Sequence, residues 1–216
     1  MTVDEIGEFK RISRRRTYSP GERIMSSEGG AEFLGAINSG VAKVTKILMD
    51  GRQQIVGMLF PPNCFGHAFG KTNAYFVEAA THVELCCFER RGFERMSEAY
   101  PGLRRSLLEQ TLSDLDAAQD WMVLLGRKTA EEKVASLLLM LATRSAPSPS
   151  CIEQCPPRAV DVELHLKREE IADFLGLTYE TVCRQIAALK KRGIVKFNGV
   201  RQFSVPDWEA LERLPG

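Results

Sequence analysis

The chain has 216 residues, of which 44% are hydrophobic and 26% charged, as in an ordinary globular protein with one large domain or two small ones. Its formal net charge is only +1, so a surface that binds a polyanion must come from local clustering of basic residues. No apolar run approaches the roughly 18 residues that span a bilayer, and the N-terminus lacks the apolar stretch of a signal peptide. We therefore expect a cytoplasmic protein with no membrane partner.

From about Gly21 to Phe88 the chain consists of short β-branched or aromatic runs, each ended by glycine, proline or asparagine. This punctuation predicts strands and turns. Asp50-Gly51, between VAKVTKILM and RQQIVGMLF, predicts a hairpin because glycine tolerates the positive φ of tight turns. Several short strands at this spacing predict a small sandwich or barrel.

From Pro101 such breaks disappear for about 40 residues apart from Gly126, which predicts helix, and proline suits a first helical turn. An apolar row with spacings of four, three and seven runs along this segment and comprises Leu108, Leu112, Leu115 and Met122. Such a row packs two helices together in a dimer, or else packs on the chain's own β domain. The pattern alone favours neither.

Residues 145–160 form a polar, proline-rich segment that predicts a loop between domains. Cys151 and Cys155 lie in it, but a metal site would need two more ligands and His165 is the only nearby histidine. The chain has six cysteines: Cys64, Cys86, Cys87, Cys151, Cys155 and Cys183. They match neither a small disulfide framework nor a paired C-x-x-C zinc pattern, so we expect reduced thiols and no metal.

The predicted elements near the C-terminus follow in the order of a helix-turn-helix, in the segment LKREEIADFLGLTYETVCRQIAALKKRGIVKFNG. Residues 167–175 predict the first helix, and Gly176 is a suitable left-handed cap at its end. Its inward residues are predicted to be Ile171, Ala172 and Leu175. Thr178 is a suitable N-cap for the second helix. The buried stripe of that helix is predicted at Val182, Ile186 and Leu189.

The opposite face of the second helix is predicted to be polar. At 100° per residue it carries Glu180, Arg184, Ala187 and Lys191, with Cys183 on its flank. Six basic residues and no acidic one lie between Thr181 and Pro206, which is typical of a phosphate-binding surface. They are Arg184, Lys190, Lys191, Arg192, Lys196 and Arg201. The short runs around Asn198-Gly199 predict a hairpin, the wing of a winged helix.

Glu180 and Arg184 are open to two interpretations. An acid and a base four residues apart on a helix commonly form a solvated ion pair. In a helix-turn-helix, however, the N-terminal half of the second helix enters the major groove. There an arginine binds guanine O6 and N7, and a glutamate accepts from the amino group of cytosine or adenine.

Three segments together resemble the CRP/FNR superfamily of bacterial transcription regulators, and the resemblance extends along nearly the whole chain. They are the β segment, LLGRKTAEEKVASLLL and REEIADFLGLTYETVCRQIAALKKRGIV. The resemblance implies an α+β fold in three parts. Residues 1–100 would form a cyclic-nucleotide-type β-roll, residues 101–144 a long dimerisation helix and a junction helix, and residues 145–216 a winged helix-turn-helix. It also implies a homodimer on palindromic double-stranded DNA and, for an activator, RNA polymerase as a partner.

Family members that read TTGA-type half-sites carry E-x-x-S-R in the recognition helix. Glu180 and Arg184 match this motif, and Cys183 stands in place of the serine. The implied target is a TTGA-N6-TCAA palindrome, with Arg184 on the guanine and Glu180 on bases of the opposite strand. The predicted DNA-binding residues are Thr178, Tyr179, Glu180, Thr181, Cys183, Arg184, Lys191 and Lys196. The predicted dimerisation residues are Leu108, Leu112, Leu115 and Met122.

Departures from the family patterns narrow the subgroup. Members that bind cAMP carry F-G-E and an Arg-Ser pair, where this chain has His67 and Asn73-Ala74, so we expect no cyclic nucleotide. Oxygen-sensing members hold a [4Fe-4S] cluster through N-terminal cysteines, and no cysteine precedes Cys64, so we expect no such cluster. The remaining resemblance is to FixK-type regulators of low-oxygen respiration, nitrogen fixation and denitrification, which have the FNR-like DNA motif without the cluster. We therefore expect no cofactor.

An alternative is the nitric-oxide-responsive Nnr/Dnr type, which uses a bound haem or small effector. His67 and His82 are then candidate haem ligands, or else ordinary surface or pocket-lining histidines. An enzyme is not expected, because the chain has three histidines, no glycine-rich phosphate loop and no G-x-S-x-G motif. Cys183 is either a small substitute for serine, in contact with a thymine methyl group, or a redox-sensitive thiol. In the second case its oxidation would place a polar or charged group against the DNA.

Overall fold

The computed structural model describes residues 12–26, 33–66, 75–145 and 161–215. The chain divides into two compact units, Met1–Ala118 and Gln119–Gly216. His67, Asn73-Ala74, Cys151, Cys155 and nearly all of the predicted interdomain loop lie outside the described residues. Within the described ranges, no helix is both long enough and apolar enough to cross a membrane.

The first unit is built on two antiparallel sheets. The strands are β1 (Ser13–Tyr18), β2 (Arg23–Met25), β3 (Phe33–Ser39), β4 (Ala42–Ile47), β5 (Gln53–Leu59), β6 (Cys64–Phe65), β7 (Phe76–Ala79) and β8 (Val83–Glu89). One sheet has the order β1-β8-β3-β6 and the other β2-β7-β4-β5. Both contribute to one buried core, with Ile37 and Leu85 from the first and Ile24 and Val77 from the second. Burial of these apolar side chains holds the two layers together.

The predicted hairpin at Asp50-Gly51 is confirmed. It joins β4 to β5, and Gly51 has a φ of +86°. The Leu48 amide donates to the Arg52 carbonyl at 2.8 Å, which closes the turn. Residues 90–99, which the sequence analysis places in the β-roll domain without assigning an element, form helix α1 (Arg90–Ala99). Its buried Phe93 and Met96 are only three residues apart, which is too short a pattern to signal a helix.

The predicted helical stretch forms two helices, α2 (Pro101–Arg127) and α3 (Ala130–Ser145). Gly126 lies within α2, and the break falls after it, at residues 128–129. Thr129 and Glu132 cap α3 reciprocally. The Thr129 amide donates to the Glu132 carboxylate at 2.6 Å, and the Glu132 amide donates to the Thr129 hydroxyl at 3.4 Å. This capping box, rather than the glycine, sets the start of α3.

The second unit contains the helix-turn-helix and its wing. Its elements after α3 are β9 (Val162–Glu163), α4 (Arg168–Leu175), α5 (Tyr179–Lys191), β10 (Lys196–Phe197), β11 (Gln202–Ser204) and α6 (Trp208–Arg213). Gly176 ends α4 with a φ of +61°, as predicted. Asn198 and Gly199 turn β10 into β11, which confirms the wing hairpin. β9 adds a third strand beside β11, and neither β9 nor α6 was predicted.

Candidate DNA-binding surface

The sequence at the start of α5 fixes how this helix is rotated on its unit. Thr178 is the N-cap, and its hydroxyl accepts from the Thr181 amide at 3.2 Å. The predicted stripe is buried and comprises Val182, Ile186 and Leu189. The predicted outer face is exposed and comprises Glu180, Arg184, Ala187 and Lys191. The cap and the apolar stripe therefore present Glu180 and Arg184 to solvent on the N-terminal half of the helix.

Glu180 and Arg184 do not pair with each other. Other oppositely charged residues four positions apart do form ion pairs in the described chain, at Arg90–Glu94, Arg105–Glu109 and Arg213–Glu209. In the described ranges, neither Glu180 nor Arg184 lies within ion-pair distance of an opposite charge. The simple solvated ion pair is therefore not formed, and both charged groups point into solvent.

The predicted basic patch is largely intact on the surface of the second unit. Five of its six residues are exposed and pair with no acidic residue in the described ranges: Arg184, Lys190, Lys191, Lys196 and Arg201. The sixth, Arg192, is engaged, because its guanidinium bonds to Glu131 near the start of α3. Lys191 lies on α5, and Lys196 lies on β10, the first strand of the wing. The exposed positive charge is thus spread over both the recognition helix and the wing.

Cys183 is half-buried rather than fully exposed. Its neighbour Tyr179, one turn earlier, is exposed, and a hydrogen bond between the tyrosine hydroxyl and the Cys183 thiol raises the pKa of Tyr179. Thr181 is half-buried, and its hydroxyl bonds to that of Thr178 at 3.0 Å. The eight predicted DNA-binding residues thus fall on the start of α5, its outer face and β10.

Sequence reasoning missed Arg168, the first residue of α4. Its guanidinium lies 4.6 Å from the ring centroid of Phe197 in the wing. Burial lowers the pKa of Arg168, while interactions with Cys183 and Tyr179 oppose that shift. Its Nη1 is buried without a hydrogen-bond partner among the described residues. Arg168 therefore joins α4, α5 and the wing, a contact that no local pattern signals because Phe197 is remote in sequence.

The apolar row on α2 is exposed. Leu108, Leu112, Leu115 and Met122 are between 51% and 64% exposed, so these side chains do not pack on the chain's own sheets. Leu103 and Leu107, on another face of the same helix, do pack there, against Leu34, Phe88 and Phe93. Exposure of large apolar side chains at helical spacing leaves the row available to a partner helix.

Of the two candidate haem ligands, only His82 lies within the described residues. His82 is exposed in the turn before β8. Among the described residues, no group of three or more histidine, cysteine, aspartate or glutamate side chains is arranged to hold a metal ion.

Comparisons with known proteins agree with this architecture. A model of the Crp-like helix-turn-helix domain matches residues 132–214, and a model of the cyclic nucleotide-binding domain matches residues 15–100. Among solved structures, FixK2 from Bradyrhizobium japonicum superposes with a TM-score of 0.84 and 31% identity, over 95% of this chain and 98% of that one. These matches confirm the predicted α+β fold, with a β-roll, a long helix and a C-terminal winged helix-turn-helix.

Curated relatives share the sequence along nearly the whole chain. A probable transcriptional activator of Rhizobium leguminosarum bv. viciae is 43% identical over 99% of this chain and 86% of the relative. The transcriptional activator protein FnrL of Cereibacter sphaeroides is 42% identical over 96% of this chain and 83% of the relative. The nitrogen fixation regulation protein FixK of Bradyrhizobium diazoefficiens is 35% identical over 88% of this chain and 78% of the relative. The chain therefore belongs to the CRP/FNR family of transcription regulators, among its FixK- and FnrL-type activators.

Proposed function

We propose that this activator acts as a homodimer that recognises a TTGA-N6-TCAA palindrome through Arg184 and Glu180. The observation that carries the proposal is the exposure of both side chains on one face of α5, without an ion pair between them. Arg184 donates two hydrogen bonds to guanine O6 and N7, and Glu180 accepts from base amino groups of the opposite strand. Phosphates repel a carboxylate, so Glu180 is useful only where base contacts offset that repulsion.

The other predicted residues position the helix rather than read bases. Lys191 and Lys196 contact phosphates, which adds affinity without sequence information. Thr178, Tyr179 and Thr181 surround the N-terminus of α5, where backbone amides favour a phosphate. Cys183 lies between them and Arg184, where a serine would stand in related recognition helices.

A symmetric dimer accounts for the spacing of the two half-sites. In TTGA-N6-TCAA the half-site centres are 10 base pairs apart, which is about one turn of B-DNA, or about 34 Å. We propose that the row Leu108, Leu112, Leu115 and Met122 packs against its copy, because a two-fold axis places the same surface on both subunits. In this arrangement residues 1–100 are the sensor-like domain, residues 101–144 the dimerisation and junction helices, and residues 145–216 the DNA-binding domain.

A spacer series tests this arrangement. Ligand-free protein is titrated against duplexes with TTGA and TCAA separated by four to eight base pairs. Binding is expected to be tightest with six, since other spacers rotate one half-site out of reach. Equal affinity for all spacers, at the level of a single half-site, would contradict the homodimer. Activation further requires contact with RNA polymerase, which an in vitro transcription assay with purified polymerase measures.

We further propose that DNA binding needs no effector and that the target genes serve low-oxygen respiration, nitrogen fixation or denitrification. A gel shift of ligand-free protein on the TTGA-N6-TCAA duplex checks the first point, and the absorption spectrum of anaerobically purified protein shows whether a haem or iron–sulfur cluster is bound. A haem or iron–sulfur spectrum would replace it with the alternative of a nitric-oxide- or other ligand-responsive regulator. Transcript profiles of a deletion strain, in air and at low oxygen, check the second.

Cys183 is the proposed redox site on this surface. A Cys183 thiolate attacking hydrogen peroxide forms an S–O bond, breaks the O–O bond and yields a sulfenic acid and hydroxide, which takes up a proton from solvent to give water. The added oxygen lies beside Arg184 and weakens DNA binding. Peroxide is expected to lower operator affinity in the parent protein and in Cys86→Ser, but not in Cys183→Ser. A Cys183→Ser variant that loses affinity to the same extent would contradict this role.

A further inference from the structure

The last turns of α2 belong to the second unit, which begins at Gln119, and they have two different sides. Met122 and Val123 are 64% and 57% exposed. Trp121 is half-buried, and Leu124, which lies on the same side three residues later, is only 5% exposed. One side of this helix end therefore packs within the second unit, while the other stays open.

Trp121 packs on the first helix of the helix-turn-helix. Its ring stacks on that of Phe174 in α4, with the ring centroids 4.2 Å apart and the planes at 24°. Phe174 is only 3% exposed, so the contact belongs to the core of the unit. Stacked aromatic pairs stabilise a structure beyond the area they bury. Because α4 packs directly against α5, this contact is one helix away from the residues proposed to read bases.

The contact spans the break between the two long helices. α2 ends at Arg127 and α3 begins at Ala130, and the helix-turn-helix follows α3 in the chain. Trp121 thus lies before the break and Phe174 after it. A few residues between two helices are enough for a hinge, because they absorb large backbone rotations. Rotation at residues 128–129 would separate the two rings and expose apolar surface, which the hydrophobic effect opposes.

We propose that Trp121 is a positioning residue for DNA recognition, which holds the helix-turn-helix on the end of α2 in its DNA-binding orientation before DNA or an effector is bound. This inference rests on the proposed effector-free homodimer. Two recognition helices occupy both half-sites at once only if each keeps a fixed orientation on the dimer. Since the contact with Phe174 is already formed in the free chain, the unit need not be ordered when DNA binds.

Two variants test this role. Trp121→Ala removes the contact, whereas Trp121→Phe keeps an aromatic ring against Phe174. The indole Nε1 makes no hydrogen bond among the described residues, so phenylalanine loses none that they show. Anisotropy titrations compare the TTGA-N6-TCAA duplex with a duplex that carries one half-site. If Trp121→Ala leaves the DNA-binding orientation about one-tenth populated, its Kd for the palindrome rises about tenfold.

The single half-site separates positioning from folding. Trp121→Ala should bind it within about twofold of the parent, since only binding to the second half-site depends on the geometry of the dimer. Trp121→Phe should bind both duplexes as the parent does. The matched control is Leu211→Ala, which truncates a fully buried side chain on α6 of the same unit. It should keep the parent's ratio of palindrome to half-site affinity. An unchanged ratio in Trp121→Ala, or an equal fall in Leu211→Ala, would overturn the proposal.

Fluorescence tests the contact even if Trp121→Ala does not fold. The chain has two tryptophans, so Trp208→Phe leaves Trp121 as the only one. Its emission should resist quenching by acrylamide to the same extent with and without the TTGA-N6-TCAA duplex. Emission that becomes protected only when DNA is added would show that the contact forms on binding, against the proposal. Failure of the parent to prefer the palindrome would count against the proposed function instead, because the emission of Trp121 reports on the contact alone.

Discussion

Replacing Arg184 with alanine separates base reading from folding. Arg184 is exposed and forms no ion pair in the described ranges. Its removal should therefore change the free energy of unfolding by no more than about 0.5 kcal/mol. The neighbouring Val182 and Ile186 keep α5 packed on its unit, so the position of the helix is preserved.

The expected loss falls on the DNA complex. A bidentate arginine–guanine contact is worth about 1–3 kcal/mol of discrimination. A dimer makes it in both half-sites, so the loss is about 2–6 kcal/mol if the two contribute independently. That free energy corresponds to an increase in Kd of about 30-fold to 10⁴-fold.

Fluorescence anisotropy at fixed salt measures this loss on two duplexes. One carries TTGA-N6-TCAA, and in the other each guanine–cytosine pair of the half-sites is changed to adenine–thymine. Arg184→Ala should bind both with similar affinity, whereas the parent should prefer the first. Arg213→Ala removes an exposed arginine of α6 that pairs with Glu209, and should behave as the parent. Equal weakening of both duplexes by Arg184→Ala would refute base reading and leave only a phosphate contact.

Three further predictions concern the dimer, the recognition-helix cap and pH. Leu115→Glu should convert the dimer to a monomer in analytical ultracentrifugation, because charges would face each other across the two-fold axis, while Ser113→Glu should remain dimeric. Thr178→Ala should cost about 1 kcal/mol of unfolding free energy through loss of the N-cap, or about 2–4 °C in a thermal melt. Burial lowers the pKa of His165, so protonation favours the unfolded chain. Urea unfolding should therefore show stability falling as pH drops below about 6.5, and less steeply in His165→Gln.

Much of the recognition helix could be predicted because its signals are local. Gly176, Thr178 and the apolar spacing of α5 each restrict the backbone or the helix rotation without reference to distant residues. The structure confirms all three. The exposed face follows from them by geometry.

Other features depend on contacts that sequence spacing does not encode. β1 carries three consecutive arginines, which hide the alternation of a strand. Arg168 contacts the ring of Phe197 in the folded unit, although the two residues are far apart in the sequence. Whether Glu180 and Arg184 pair depends on side-chain rotamers, so the pattern alone left that question open.

The most direct test of the account compares ligand-free protein on the TTGA-N6-TCAA duplex with the same protein on a scrambled duplex of equal composition, at equal salt concentration. Specific protein–DNA complexes are typically at least about 10³-fold tighter than non-specific ones. A Kd ratio of that order is expected, and Arg184→Ala should lower it by about 30-fold or more. A ratio near one, or specific binding only after an effector is added, would contradict the account.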